Sequence, residues 1–379
     1  MTTKLTQEQN LIAEAARDFA QNYLATDILD RDKKELFPSH WVKQMAELGF
    51  MGMMVSPAYE GSGMDTLSYV MAMEEISKVD ASTAVIMSVN NSLVCWGLET
   101  YGDDYQKNNY LKDLASGRKL GAFCLSEPEA GSDAAHLKTR ALDKGAYFEL
   151  TGTKNWITNG STADFYLVMA QTDPALGHKG ISCFIVEKGM EGFEIGPKED
   201  KLGIRSSDTH SLLFNQVKVP KENLVGGLGF GFKFAMETIN GGRIGIAAQA
   251  LGIAQGAYER SLAYSKERKT FGKPISEHQA IQFKLAKMKT DIEAARTLVY
   301  KAARLKDAHQ SFDVASAMAK YYASKVAMEV TVEAVQIHGG NGYVRAYHVE
   351  RMMRDAKITQ IYEGTSEIQL LVIARSLLN

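Results

Sequence analysis

The sequence predicts a multidomain α+β protein. An N-terminal helical domain covers residues 1–120, a central antiparallel β-barrel-like domain 121–225, and a C-terminal four-helix bundle 226–379. Three observations lead there. Apolar residues recur at helical spacing up to about residue 120. Short β-rich runs punctuated by glycines follow, to about residue 225. After Pro220 the helical pattern returns, and only Pro274 interrupts it.

In the first part, Thr6 and Gln9 have the spacing of a capping box. Behind them Ile12, Ala15, Ala16, Phe19 and Tyr23 share a helical face. Trp41, Met45 and Leu48 repeat the pattern, with Gly49 as the stop. Leu67–Val79 and Thr83–Thr100 read as further helices, set off by the loop Pro57–Gly63.

In the second part, Phe148–Leu150, Phe165–Ala170, Ile181–Val186 and Leu212–Val219 read as strands. Their close spacing predicts a compact antiparallel barrel or sandwich. In the third part, Arg243–Lys266 is small and apolar on nearly all sides, which predicts deep burial. Ile281–Leu305 and Val314–Ile337 are long and amphipathic; in the second, Ala323, Ala327, Val330, Ala334 and Ile337 form a stripe. A final helix runs from Ser366 to Leu378, with Ser366 and Gln369 placed as a capping box. Helices of this length pack as an antiparallel bundle.

Composition excludes several classes. The 379 residues carry a net charge of −2, so a broadly cationic nucleic-acid face is not the expectation. Cys95, Cys124 and Cys183 make no disulfide framework and no C-x-x-C pair. No apolar run is long enough to cross a bilayer, and the start Thr2-Thr3-Lys4 is polar, without a leader pattern. The expectation is a soluble, cytoplasmic protein without membrane insertion.

The general catalogue of chemical motifs is nearly empty. There is no P-loop and no His-Glu-x-x-His, and no histidine pair has metal-ligand spacing beside a carboxylate, so no metal site is expected. Gly226, Gly227, Gly229 and Gly231 lack the spacing of a dinucleotide fingerprint, as do Gly340 and Gly342. His338, beside two glycines, reads as a helix-end residue.

Four segments stand out instead. They are Phe123-Cys-Leu-Ser-Glu-Pro-Glu-Ala-Gly-Ser-Asp133, Lys154-Asn-Trp-Ile-Thr-Asn-Gly160 and Glu267-Arg-Lys-Thr-Phe-Gly-Lys273. The fourth runs Gln336-Ile-His-Gly-Gly-Asn-Gly342, then Met353-Arg-Asp-Ala-Lys357, then Ile361-Tyr-Glu-Gly-Thr-Ser-Glu367. In this order they resemble the acyl-CoA dehydrogenase family over essentially the whole chain. That family's three-part architecture is also the one read from periodicity.

The resemblance implies FAD as cofactor and Glu363 as catalytic base. An α,β-dehydrogenation removes a proton from Cα and a hydride from Cβ of a thioester, so it needs a base on one face and a flavin on the other. Read alone, Glu363 is equally an acid complementing a helix N-terminus. Some family members carry the base just before the arginine that Arg243 matches; here that position is Gly242, which leaves Glu363. Phe123, Leu125, Ser126, Trp156, Ile157 and Thr158 match flavin-ring positions. Arg268, Phe271 and Gln279 match positions that hold the ADP half, and Gln336, Gly339 and Gly340 do so across a subunit interface. Thr365 and Glu367 match FAD contacts after the base, and Ser132, Asn240, Arg243 and Gly364 match substrate contacts. Without the resemblance, Trp156 is an ordinary core aromatic and Arg268 a solvated helix charge.

Contacts from two subunits imply at least a dimer, and family members of this length imply a homotetramer. The resemblance implies an acyl-CoA substrate and an electron-transferring flavoprotein as acceptor. Ala84–Leu93 and Gly241–Gly252 resemble short-chain members, which points to butyryl-CoA. Ala84 stands where glutaryl-type members place an arginine. A small branched acyl group, an acyl-CoA oxidase and a non-catalytic assembly protein of the same fold stay open.

Overall fold

The computed structural model describes residues 4–378. Thr2 and Thr3, which carry the reading of a polar start, lie outside the described residues. The chain begins with helix Gln7–Asn22, whose capping box is formed as expected: Thr6 Oγ1 accepts from Gln9 N, and the Gln9 side chain accepts from Thr6 N. Helices Ser39–Glu47 and Thr66–Ser77 follow.

Thr83–Thr100 is helical but not uniform. Ala81–Ser88 is α, Val89–Cys95 widens to a π-helix, and Trp96–Tyr101 is α again. Two buried asparagines hold the widened turn. Asn90 Nδ2 donates to Met51 O and Leu114 O, and its Oδ1 accepts from Gly121 N. Asn91 Nδ2 donates to Phe50 O and Met87 O, and its Oδ1 accepts from Met53 N. Side chains that bond backbone groups outside the helix compete with a regular α ladder.

The middle region is one eight-stranded sheet. Across it lie Phe193–Lys198, Thr209–Pro220, Tyr147–Thr158, Arg140–Asp143, Phe165–Gln171, Ile181–Glu187 and Leu224–Val225, with Gly121–Cys124 added beside Phe165–Gln171. The expectation of an antiparallel barrel is corrected in two ways. The outer strands Phe193–Lys198 and Leu224–Val225 do not pair, so the sheet stays open. Gly121–Cys124 and Arg140–Asp143 both run parallel to Phe165–Gln171. Parallel pairing needs a long crossover. The chain between Cys124 and Phe165, which contains an entire antiparallel pair, supplies one.

Phe165–Gln171 shows why the sheet stays open. Tyr166, Val168 and Ala170 point into a β core with Phe148, Leu150 and Phe184. Leu167 and Met169 point the other way, into the main core shared with the helices. A strand buried on both faces sits between two layers.

The C-terminal bundle comprises Gly231–Glu267, Gln279–Asp307, Asp313–His338 and the pair Val349–Ile358 and Ser366–Leu378. Gly231–Glu267 is buried continuously from Gly241 to Ala257; the deep burial expected to Lys266 stops there, since of Tyr258–Lys266 only Ser261 and Ser265 are buried. It lies against Thr66–Ser77 at backbone distance: a Cβ on Gly252 would stand 2.3 Å from Glu74 O. The final helix is capped differently from expectation. Thr365 Oγ1, not Ser366, accepts from Ile368 N, and Gln369 Nε2 reaches back to Glu363 O and Gly364 O.

Gly252→Ala therefore sets two effects against each other. Alanine gains about 1 kcal/mol of helix propensity, but overpacking against a backbone carbonyl costs about 1–3 kcal/mol or more. The clash wins, so the variant unfolds at lower urea than the wild type.

Candidate active site

Glu363 lies in the break between Val349–Ile358 and Ser366–Leu378. Its φ is +52° and that of Gly364 is +90°, so two successive residues are left-handed. A non-glycine residue there costs of order 1–3 kcal/mol and persists only when its surroundings hold it. They do. Gln369 Nε2 donates to Gly364 O at 2.9 Å, Lys320 Nζ donates to the same carbonyl at 2.5 Å, and Ser366 N donates to Gln360 O at 3.0 Å.

The turn aims the carboxylate at the long helix. Glu363 Oε2 is buried and has no hydrogen-bond partner. It fits because residue 242 is glycine: a Cβ there would stand 2.2 Å from Oε2 and 2.7 Å from Leu93 Cδ2. One turn on, a Cβ at Gly245 would meet Tyr69 Oη and Ser88 Oγ, which are hydrogen-bonded to each other at 3.0 Å. Burial pushes the Glu363 carboxyl up to about 7, against the opposing pull of Lys320 and Arg243.

Around this carboxylate stand two poorly neutralised cations. Arg243 Nη1 donates to Asn240 Oδ1 at 2.7 Å, Asn240 Nδ2 donates to Asp313 Oδ1 at 2.9 Å, and Arg243 Nε is buried without a partner. Burial holds the guanidinium below its usual range, though Glu363 and Asp313 oppose this. Burial also pushes the Lys320 ammonium down to about 7. Beside the base, the Tyr362 hydroxyl bonds Gln249 Oε1, and Gln249 Nε2 donates to Ala81 O at 2.8 Å.

A second group lies on the sheet. A register shift between Lys154 and Ile157 bulges the strand and turns Trp156 outward at φ +61°. Trp156 is 60% exposed, so it is not a core aromatic. Beneath it Lys154 is fully buried; its Nζ donates to Glu127 Oε1 at 2.7 Å and to Leu125 O at 3.1 Å. Burial disfavours the Glu127 carboxylate, but Lys154 and the N–H groups of Lys138 and Thr139 outweigh it and hold the group below its ordinary range. Asn155 N donates to Ser126 O, which ties the Leu125–Ser126 segment to the strand of Trp156 and Thr158, with Leu125 and Ile157 buried. Phe123 stacks at 6.5 Å on Phe234 of the long helix.

A third group is separate. Lys269–Thr270 and Lys273–Pro274 form a hairpin whose two turn residues, Phe271 and Gly272, both have positive φ. Phe271 projects from its tip 96% exposed, Arg268 has no ion pair among the described residues, and Gln279 is exposed. Gln336, Gly339 and Gly340 are exposed at the end of Asp313–His338, and a Cβ on either glycine would meet nothing within 4 Å. Ser132 and Glu367 are exposed, and Thr365 is half-buried as the helix cap.

The structure thus gathers Glu363, Gly364, Asn240 and Arg243, and separately the strand residues around Trp156. Gln279, Gln336, Gly339 and Gly340 present open surface, and none makes a side-chain contact with Glu363 among the described residues. Sequence reasoning missed Lys320 and Tyr69; it had marked Gly242 as a position without a base and Leu93 as part of the acyl segment, but not the space that Gly242 leaves for the carboxylate. A signal existed for Lys320. It sits three residues before Ala323, so it is a lysine on the small-residue stripe of a buried helix face.

Comparison with known proteins gives the family and the fold. The chain matches the N-terminal, middle and C-terminal domain families of acyl-CoA dehydrogenase over residues 6–118, 122–217 and 229–378. It belongs to the acyl-CoA dehydrogenase family, a family of flavoprotein oxidoreductases. It is 50% identical to a short-chain-specific acyl-CoA dehydrogenase of Clostridium acetobutylicum, covering 99% of each chain. Its fold matches butyryl-CoA dehydrogenase from Megasphaera elsdenii with a TM-score of 0.99 and 48% identity over all of both chains. It matches equally, at TM-score 0.99 and 50% identity, a chain from a structural study of the electron transferring flavoprotein of Acidaminococcus fermentans.

The dry carboxylate sets a stability test. Its folded value near 7 lies above the ordinary value of 4.5, so its favourable contribution is complete below 4.5 and is lost as pH rises through 7. Glu363→Gln should therefore be more stable than wild type by about 1–3 kcal/mol above pH 7, with the difference vanishing toward pH 4.5. Thermal unfolding of both proteins across that range, in the same cofactor state, checks it.

Proposed function

We propose that this chain catalyses the FAD-dependent α,β-dehydrogenation of a short-chain acyl-CoA, butyryl-CoA in the first place, to the trans-2-enoyl-CoA. The observation that carries the reading is Glu363 Oε2, buried, unpartnered and lodged against Gly242. A base with a proton affinity near neutrality suits α-proton abstraction at working pH.

The residues fit FAD. Trp156 offers an exposed aromatic face beside Ser126 and Thr158, while Arg268 offers an unpaired guanidinium suited to a pyrophosphate. Phe123, Leu125 and Ile157 would back the ring, with Phe271, Gln279, Thr365 and Glu367 along the rest of the cofactor. Gly339 and Gly340 leave backbone open to close approach, and with Gln336 they would reach the cofactor of a second subunit. Bound FAD supplies the hydride acceptor for Cβ. The protein's own part is to hold the thioester and move the α proton. Asn240, Arg243, Ser132 and Gly364 would position the acyl-CoA, and the Glu363 N–H would donate to the thioester oxygen and favour enolate character. The Glu363 carboxylate takes the proton.

The short-chain relatives support a small acyl group, and Ala84 offers no charge to a distal carboxylate. The reading further takes an electron-transferring flavoprotein as the electron acceptor, a homotetramer as the assembly and the cytoplasm as the location. No helix among the described residues is long and apolar enough to cross a membrane.

Anaerobic titration of the FAD-loaded protein with butyryl-CoA tests the reading: the flavin band should bleach. An unbleached band with butyryl-CoA, or bleaching only by octanoyl-CoA and longer, contradicts it. Glu363→Gln should keep FAD and ligand binding and lose at least ~1000-fold in the rate of flavin reduction, in line with the loss of a positioned base. The wild-type rate should rise with pH along a limb near 7, because the carboxylate form is the active one.

A further inference from the structure

Lys320 is a feature of the site that packing does not explain. It lies on a face with Ser316, Ala317, Ala323 and Ser324, all buried, where an apolar residue would fit. Its side chain is fully buried. Isolating an ammonium in this way costs several kcal/mol unless something nearby repays it. No carboxylate lies at ion-pair distance among the described residues; its hydrogen bond goes to Gly364 O, the carbonyl that follows Glu363.

We infer that Lys320 is a positioning residue for the base: its ammonium clamps the left-handed Glu363–Gly364 turn through the Gly364 carbonyl and supplies the charge that keeps the Glu363 carboxylate ionisable in a dry pocket. This inference rests on Glu363 being the base, as proposed above. Gln369 already bonds both carbonyls of the turn, so the geometry alone did not require a cation. The titratable groups facing the carboxylate come from three helices, the charged ones from two. Lys320 lies on Asp313–His338 and Arg243 on Gly231–Glu267, while Tyr69 on Thr66–Ser77 is neutral, its hydroxyl pushed far up by burial. Within the break itself Tyr362 is also neutral. Arg243 shares its charge with Asp313, and Lys320 is in turn faced by Glu367 at the surface. Burial brings Lys320 down to about 7, so it lends its charge over the range in which Glu363 ionises. It gives the charge up above that range, where Lys320→Gln converges with wild type. Of the two cations, Lys320 alone also touches the backbone of the turn.

Two substitutions separate the clamp from the charge. Lys320→Gln keeps a donor for Gly364 O and removes the charge; Lys320→Met removes both. In the FAD-loaded proteins, the pH dependence of flavin reduction by butyryl-CoA is followed together with the infrared carboxyl band of Glu363, with Glu363→Gln as the reference. The expected result for Lys320→Gln is wild-type FAD content and acyl-CoA binding. Both the rate limb and the infrared titration should move up by about 1–2 pH units, and the rates should converge with wild type at high pH. Lys320→Met should be slower at every pH. An infrared titration and limb that do not move in Lys320→Gln would overturn the inference. Should Lys320→Gln fail to fold, Lys320→Arg takes its place: an unmoved limb is expected and a displaced one contradicts. If wild-type protein does not bleach with butyryl-CoA, the substrate reading fails, while the infrared comparison still decides the role of Lys320.

Discussion

The structure depends on one constraint: a carboxylate has to be kept dry, unpartnered and immobile, and still be able to ionise. Each condition works against the others. Removing water raises the proton affinity, removing partners forfeits hydrogen bonds, and immobility here requires a strained turn. Glu363 meets all three because its surroundings are over-determined. Gly242 makes the space, Gln369 and Lys320 hold the turn, and Arg243 and Lys320 supply positive charge without closing an ion pair on Oε2.

That arrangement needs the three regions to be locked together. The segment around Arg354 does this. Arg354 pairs with Asp32 of the N-terminal region at 2.8 Å and with Glu350 at 2.8 Å, and donates to Leu202 O of the middle region at 3.0 Å. Arg351 pairs with Asp355 at 2.7 Å and donates to Val79 O, while Asp355 accepts from Ile204 N at 2.6 Å. These groups are buried or half-buried, so each is costly to leave unpaired. They stand just before the loop that carries Glu363. Arg354 and Asp355 of the Met353–Lys357 motif thus help to lock the three regions together.

Much of this was legible in the sequence. The helical parts, the β part, the Thr6–Gln9 box and the burial of Arg243–Ala257 follow from period and residue size. The motif segments pointed to Glu363 and Trp156, and the family resemblance pointed to Arg243. What failed was non-local. The parallel pairing of Gly121–Cys124 depends on a crossover, not on its own four residues. The π-helix at Val89–Cys95 is imposed by loops that Asn90 and Asn91 hold. The cap at Thr365 differs from the Ser366 pattern because Gln369 is drawn back to the strained turn. Lys320 and the space at Gly242 show the same limit: a buried-face lysine and a missing side chain can be read from the sequence, but the carboxylate that lies opposite them cannot.

The central claim is that Glu363 faces the α carbon of a bound short thioester. A crystal structure of the FAD-loaded protein with a non-oxidisable four-carbon thioester tests it most directly. The account predicts a Glu363 carboxylate oxygen about 3–3.5 Å from Cα, with the Glu363–Gly364 turn left-handed as it is here. A carboxylate turned away from Cα, or an acyl chain lodged elsewhere than between Glu363 and the flavin surface at Trp156, would contradict it.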